Sequence, residues 1–411
     1  MTVKKPTVAL AMIVRNSSAT IDKLLESVKG HFDEYVFVDT GSEDDTREKI
    51  AKAFSLVSKA AWRFPVEGGP FHGDNHYRYE GCYDTFDVGG PAPAADVVLA
   101  RFDWIRDFAA ARTFAFSLAS SDWVMWLDAD DVLENGELVR PVVADADAHG
   151  SNVIIAPYRV EPRLRVARRV MKRSAGWRWK NPVHEDVYFE PAEGEAQART
   201  NAFAAVTKAK EGDALLASLA RNREILLGCL NAAKISENWE QIGWASWYLC
   251  NDALSCGEGS WIGYARDAAA FAPTDLRAYA SVVIAANTFT GKPTREQFEL
   301  AERASQWLPN YAEAWALRIM LHYSGGQVRQ ALALVPQFKM VLDSDESNFI
   351  NDRDAVLVAV GRCYAAAALY SGGKTEEAGE MLEEISNDLR AHMNVANFFN
   401  TMSAKLAAGA K

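Results

Sequence analysis

The feature that most constrains this chain is a change of pattern near residue 208. Before it, short β-branched runs alternate with helical stretches; after it, strand-like alternation, glycine and proline thin out, and Ala, Leu and aromatic residues recur at helical spacing. One core cannot serve both patterns, so two domains are expected, 1–205 and 206–411, and 411 residues suffice for two of ordinary size. The expected fold class is α/β followed by all-α. A doubly wound, mostly parallel sheet covered on both faces comes first, then a helical repeat domain.

TVALAMIV (7–14), YVFVD (35–39), LVSKAAWRF (56–64), WVMWLD (123–128) and NVIIAPYRV (152–160) read as strands. Between the first two, Ile21, Leu24, Leu25 and Val28 fall at i, i+3, i+4 and i+7, which predicts a helix capped by Ser17, Ser18 or Thr20. Right-handed crossovers would then bring the C-terminal end of every strand to one edge of the sheet, where such folds bind ligands. Residues 65–106 interrupt this pattern with a Gly-, Pro- and aromatic-rich insertion far longer than an ordinary connection. Phe71, Tyr77, Tyr79, Tyr83 and Phe86 suit stacking on a sugar or peptide, and equally suit a satellite core that holds the insertion down. His72, Asp74 and His76 imitate a metal site but have no further ligand nearby in sequence.

In the helical half, Phe271-Ala-Pro273 followed by Ala278-Tyr279 is echoed 36 residues later by Trp307-Leu-Pro309 and Ala314-Trp315. GQVRQAL (326–332) and GKTEEAG (373–379) share a glycine-then-alanine turn. This period is similar to that of tetratricopeptide helix pairs, which stack into a solenoid.

Forty-four basic against fifty-five acidic residues give a net charge of -11, which argues against a broad grip on nucleic acid or anionic lipid. No apolar run reaches membrane-spanning length, and the run from Thr7 to Val14 is stopped by Arg15-Asn16. Five cysteines without a CxxC pair fit a reducing compartment, so the chain is expected to be cytoplasmic.

The sharpest chemical signal is Trp126-Leu127-Asp128-Ala129-Asp130-Asp131, an apolar strand that empties into three carboxylates. Carboxylates so crowded repel, and a hard divalent cation that also binds phosphate, Mn2+ or Mg2+, is the economical way to hold them together. An acidic cap on the next helix is the plainer alternative. Two other strand ends point to the same edge: Arg15-Asn16 after the first strand, and Asp39-Thr40-Gly41 after the second, where Asp45 or Thr46 caps the following helix. Farther on, His184-Glu185-Asp186 follows a strand-like run with Arg168, Arg169, Lys172 and Arg173. One carboxylate near a basic stripe is what inverting group transfer to a hydroxyl needs. Glu185 is the first choice of base and Asp186 the reserve, with His184 a metal ligand or positioning residue; Arg169 and Lys172 are candidates for diphosphate contacts, and a pairing of Glu185 with Arg173 is the structural alternative. Trp177 and Trp179 share a strand face and either wall an acceptor site or pack against the helical half.

IVRN (13–16), VDTGSEDDT (38–46), DFAAARTFAFSLASSDWVMWLDADD (107–131) and WRWKNPVHEDV (177–187) together resemble family 2 glycosyltransferases of the Rossmann-like GT-A fold, over about residues 1–200. The resemblance implies a nucleotide-sugar donor, commonly a UDP-sugar. It implies that Asp39 holds the base, with Val14, Arg15 and Asn16 beside it, that Arg112 lies near the nucleotide, and that Asp128 and Asp130 bind ribose and metal-diphosphate. Thr113 stands where the family usually has asparagine, and SEDD (42–45) where it has STDG. Together with the helical repeats, the resemblance implies transfer to a macromolecular acceptor, a protein first and a cell-envelope polysaccharide or lipopolysaccharide second. Repeat grooves also pair with another copy, which would make a homodimer through the helical half. Two other classes fit less well. A sugar-nucleotide pyrophosphorylase needs a glycine-rich phosphate loop that MIVRNSSAT lacks, and a non-catalytic scaffold should have lost the acidic triplet or the His-Glu pair.

Overall fold

The computed structural model describes residues 5–54, 56–58, 62–65, 80–84, 86–88, 96–161, 163–189, 196–208, 212–344 and 355–409. Phe71, His72, Asp74, His76, Tyr77 and Tyr79 lie outside the described residues, as do the side chains of Tyr83 and Phe86. The chain divides into two compact units, Met1–Leu216 and Ala217–Lys411.

In chain order the first unit holds β1 (Val8–Val14), α1 (Ile21–Val28), β2 (Glu34–Asp39), α2 (Thr46–Ala53), β3 (Leu56–Ser58), β4 (Trp62–Pro65), β5 (Glu80–Asp84), β6 (Phe86–Val88) and β7 (Asp96–Arg101). There follow α3 (Phe108–Leu118), β8 (Trp123–Trp126), β9 (Val132–Glu134), α4 (Val139–Ala148), β10 (Val153–Glu161), β11 (Arg163–Lys172), β12 (Trp177–Lys180), β13 (Asp186–Phe189), β14 (Gln197–Arg199) and β15 (Ala204–Lys208). The main sheet runs β4-β5-β7-β2-β1-β8-β11-β10-β15-β9. All seven residues of β1 are buried, as a central strand covered on both faces requires. Val8, Leu10, Met12 and Val14 join one core with α1 and α4, while Ala9, Ala11 and Ile13 join another with α3, so the period of two sorts one strand between two layers. Ile21, Leu24, Leu25 and Val28 of α1 are all buried in the first layer. Each contributes about 1.5–3 kcal/mol by leaving water, and Leu24→Ala should cost about 2–5 kcal/mol.

β7, β2, β1 and β8 are mutually parallel and end at one edge. The expectation that every strand would do so fails at β11. That strand pairs antiparallel with both β10 and β8, so its C-terminal end returns to the opposite edge. The stretch 56–64 also differs from expectation, because β3 pairs with β6 in a separate small sheet while β4 joins the main one.

From residue 212 onward the elements among the described residues are all helices: α5 (Gly212–Ile235), α6 (Trp239–Ser255), α7 (Trp261–Phe271), α8 (Thr274–Asn287), α9 (Arg295–Trp307), α10 (Ala312–Ser324), α11 (Val328–Asp343), α12 (Ala355–Ser371), α13 (Thr375–Glu383), α14 (Asn387–Ala391) and α15 (Met393–Gly409). The sequence echo has a structural meaning, for Phe271 and Trp307 each end the first helix of a pair, α7-α8 and α9-α10. Gly326 and Gly373, at φ 75 and 78, make the left-handed turns that precede α11 and α13. Close approach of α12 to α10 explains a third glycine: a Cβ on Gly361 would lie 2.3 Å from that of Ala316.

Candidate functional site

β8 ends at Trp126, and the next residues fold into a tight turn in which the Asp131 amide donates to the Asp128 carbonyl at 3.0 Å. The Asp131 carboxylate in turn accepts from the Asp128 amide at 2.9 Å. Two threonines hold the turn from outside: the Thr20 hydroxyl donates to the Ala129 carbonyl at 2.9 Å, and the Thr207 hydroxyl to the Asp130 carbonyl at 3.2 Å. Thr20 thus occupies the N-cap position of α1 but spends its hydroxyl on the acidic turn rather than on its own helix. The result is a cluster in which one carboxylate oxygen each of Asp128, Asp130 and Asp131 lies within 4.8 Å of the others.

Two buried guanidiniums stand behind these acids. Arg112, on α3, donates from Nη2 to Asp128 Oδ1 at 2.5 Å and from Nε to Glu185 Oε1 at 2.7 Å, so one side chain joins the acidic turn to the loop that carries Glu185. Arg169, fully buried on β11, places Nη1 3.6 Å from Asp131 Oδ2. Aromatic faces fix both charges. Trp126 lies 4.6 Å from the Arg112 guanidinium carbon and 3.9 Å from that of Arg169, with Trp179 and Tyr158 completing the contacts at 5.2 and 4.3 Å. Acidic neighbours keep the Arg112 guanidinium charged in spite of its burial.

Around them stand four acids, Asp128, Asp130, Asp131 and Glu185, to the two guanidiniums of Arg112 and Arg169. Desolvation first, and the neighbouring Asp128 second, push the Asp131 carboxyl up to about 7. Burial likewise raises Glu185, against the pull of Arg112. Asp131 Oδ1 and Arg112 Nη1 are buried without a hydrogen-bond partner among the described residues. Three hard oxygen donors within reach of one another and an orphaned buried carboxylate oxygen fit a divalent cation.

The other strand ends form the neighbouring wall. Val14 and Asp39 are in register, the Thr40 amide donates to the Val14 carbonyl at 2.9 Å, and Asn16 is tied to the second loop through Ser42 and Glu43. The buried Asp39 carboxylate accepts from the Ser42 amide at 3.1 Å, and Arg15 is exposed at the same edge. Asp45 takes the N-cap position of α2, as the sequence suggested, but its side chain makes no capping hydrogen bond; the Asp44 carboxylate accepts from the Thr46 amide and hydroxyl instead.

Several candidates sit elsewhere than the sequence suggested. Lys172 is in register with Trp123, the first residue of β8, and pairs with Asp147 at 2.7 Å. The antiparallel course of β11 therefore carries it to the far edge of the sheet, away from the acids. Arg169 is at the cluster, has no exposed surface and faces Asp131. Glu185 pairs with Arg112 and not with Arg173, whose Nε donates to the Ser121 carbonyl. Asp186 turns toward Arg168 at 3.6 Å, and His184 is exposed. Trp177 and Trp179 pack inside the first unit, against Phe189 and Phe116, because their strand lies over α3. The sequence marks neither Tyr158 nor Thr207 as part of the site, nor Trp126 and Thr20 in these roles, since the roles depend on contacts far apart in sequence.

Residues 94–207 match the family model for Glycosyl transferase family 2. The chain carries a family 2 glycosyl transferase domain. Glycosyltransferase SunS of the SPbeta prophage of Bacillus subtilis is 25% identical to it over 186 residues, 44% of this chain and 35% of that protein. A TPR repeat-containing protein of Synechococcus elongatus is 27% identical over 184 residues, 43% of this chain and 34% of its own length. The chain spans about a third of the length of these relatives. Among solved structures, S. aureus TarS 1-349 in complex with UDP covers 84% of this chain and 95% of its own at 13% identity, with a TM-score of 0.37. The matched span contains Arg112, the acidic turn, Arg169 and Glu185, whereas Asp39 and the end of the first strand precede it in the chain. No helix among the described residues is long and apolar enough to cross a membrane.

Proposed function

We propose that the chain is an inverting, cation-dependent glycosyltransferase that moves a sugar from a nucleotide sugar, a UDP-sugar, to a macromolecular acceptor. The observation that carries this reading is the convergence of the acidic turn and Glu185 on one guanidinium, that of Arg112. A donor with a negatively charged diphosphate does not fit beside three clustered carboxyl groups by itself. Asp130 and Asp128 would hold Mn2+ or Mg2+ there, and the ion, when bound, supplies the positive charge that a departing diphosphate needs. Asp131 and Arg169 form the fixed support beneath them, and Asp39 with Val14, Arg15 and Asn16 would seat the nucleoside.

Glu185 takes the proton from the acceptor hydroxyl. As the O–H bond breaks, that oxygen forms a bond to the anomeric carbon from the face opposite the nucleotide, and the bond from that carbon to the diphosphate oxygen breaks with the electron pair leaving on the diphosphate. Burial favours this role because it raises the carboxylate's affinity for a proton, while Arg112 keeps it aimed and prevents the proton from being held too tightly. Asp186, drawn off toward Arg168, is second in line.

The helical unit favours a protein acceptor over a glycan, since stacked helix pairs bind peptide segments. The thiols of Cys250, Cys256 and Cys363 suit the reducing cytoplasm. Two measurements test the reading. Incubation of the full chain with UDP-sugars and Mn2+ should release uridine diphosphate, and Asp130→Ala should not. Intact mass spectrometry of cellular proteins, with and without the enzyme, should show a hexose-sized increment on a polypeptide; an increment confined to envelope glycan would move the acceptor to the second class.

A further inference from the structure

β12 and β13 form a hairpin closed by the pair Lys180 and Asp186, so the loop that presents Glu185 has only the residues 181–185. Two of these take a left-handed backbone without being glycine: Asn181 at φ 73 and His184 at φ 51. That region is sparsely populated for side-chain-bearing residues, least by β-branched ones and most by Asn, Asp and His. Between them Val183 is buried and His184 is exposed, while the next residue, Glu185, turns back inward to Arg112.

The loop is clasped to the helix that carries Arg112. The Phe108 amide, one of the donors that the first turn of α3 leaves without a helical partner, donates to the Pro182 carbonyl at 2.8 Å. Asp107 caps the same helix by accepting from the Ala110 amide at 2.8 Å, and Arg106 before it is again left-handed at φ 64. Arg112 lies four residues beyond Phe108, one turn along the same face. With α3 fixed against Pro182 in this way, the height of the Arg112 guanidinium is set by the clasp. The approach of Glu185 to it is set by the two residues between the clasp and the carboxylate, Val183 and His184. Val183 is an anchored apolar side chain, so the turn falls to His184.

We propose that His184 is a positioning residue acting through its left-handed backbone, which turns Glu185 onto Arg112, and not through its imidazole; this rests on Glu185 being the base. A residue that prefers extended backbone at 184 would carry the chain on as a strand and draw Glu185 off the guanidinium.

The test uses the full chain labelled with 15N-arginine. The Arg112 Nε–H resonance is assigned by its disappearance in Arg112→Lys, and it should shift in Glu185→Gln if the ion pair exists in solution. His184→Gly and His184→Asn, whose residues adopt positive φ readily, should keep the Arg112 resonance at its parental position. His184→Val should move it as Glu185→Gln does, and should lower kcat for uridine diphosphate release from UDP-glucose by about tenfold or more, with KM within about twofold. Loss of the resonance in folded His184→Gly or His184→Asn overturns the inference, because the imidazole is then what matters. Retention in His184→Val overturns it too; should that variant not fold, the glycine and asparagine variants decide. Parental turnover by Glu185→Gln would remove the base assignment, while the Arg112 resonance in the His184 variants would still report whether the backbone sets the ion pair.

Discussion

The two edges of the main sheet treat buried charge in opposite ways. At the edge where β1, β2 and β8 begin, each acid has its donors. Glu34, 4% exposed, accepts from the Ser120 amide at 2.9 Å and from the Ser121 amide and hydroxyl at 2.8 Å. Asp122 accepts from the Thr7 amide, Asp33 from the Val8 amide, and Asp147 from Trp123 and Lys172, which hold the Asp147 carboxyl below its usual range. At the edge where the same strands end, Asp131 is 1% exposed with an orphaned oxygen and a raised carboxyl. A fold gains nothing from leaving a buried charge short of partners, so the first edge is built for stability and the second for something that arrives.

The largest effect that would sharpen this contrast is on chemistry. Glu185→Gln should lower sugar transfer by about 10²–10⁴-fold, the usual worth of a positioned general base, while calorimetric binding of uridine diphosphate with Mn2+ stays within about twofold. Parental transfer would return Glu185 to a structural role. Asp130→Ala should act one step earlier and weaken Mn2+-dependent binding of uridine diphosphate by about tenfold or more. Unchanged binding would mean that the ending edge keeps its clustered acids for another purpose.

A stability measurement compares the edges directly. Arg169→Ala leaves Asp131 buried without its counter-ion and should cost about 3–5 kcal/mol in urea unfolding. Glu34→Ala strands hydrogen-bond donors without stranding a charge, so it should cost about 1–3 kcal/mol and leave Mn2+ binding alone. Equal costs would erase the distinction between the two edges.

The edges should also answer pH differently. Asp131 has a folded carboxyl raised to about 7, above its unfolded value, so the folded state holds that proton more tightly and loses stability as pH rises from about 4 through 7. A cation held beside it by Asp128 and Asp130 would favour the ionised form of this carboxyl. Saturating Mn2+ should therefore raise the melting temperature more at about pH 8 than at about pH 5.5, where the proton occupies Asp131. The reverse order would show that the cation avoids this carboxylate. Asp147, lowered by Lys172, runs the other way: its contribution is present above the unfolded carboxylate range and lost on acidification.

How much of this was legible before the structure depends on sequence separation. Ile21, Leu24, Leu25 and Val28 gave α1 correctly because helical periodicity is local, and the acidic turn was readable because a strand and its end are contiguous. The ion pair of Arg112 with Glu185 spans 73 residues, and no local pattern encodes it. Nor does a pattern encode the face of Trp126, whose alternation reads as core and whose ring touches two guanidiniums. The direction of β11 was the costliest miss. A basic strand reads the same in either direction, and the parallel expectation placed its last residues at the wrong edge.

That miss supplies the smallest effect, and the one that tests the comparison most strictly. Lys172 and Asp147 are each about one-third exposed, 34% and 33%, so the pair is worth no more than about 1 kcal/mol, and Lys172→Ala should lower the melting temperature by only a few degrees. Because Lys172 sits beside Trp123 rather than beside Asp128, its loss should leave KM for the nucleotide sugar within about twofold. A basic residue that met the diphosphate would behave otherwise, since removal of a charge-assisted contact raises KM about tenfold. A large rise in KM with an unaltered melting temperature would show that β11 does not run antiparallel to β8, and with it the division of the sheet into a stabilising edge and a reacting edge would have to be given up.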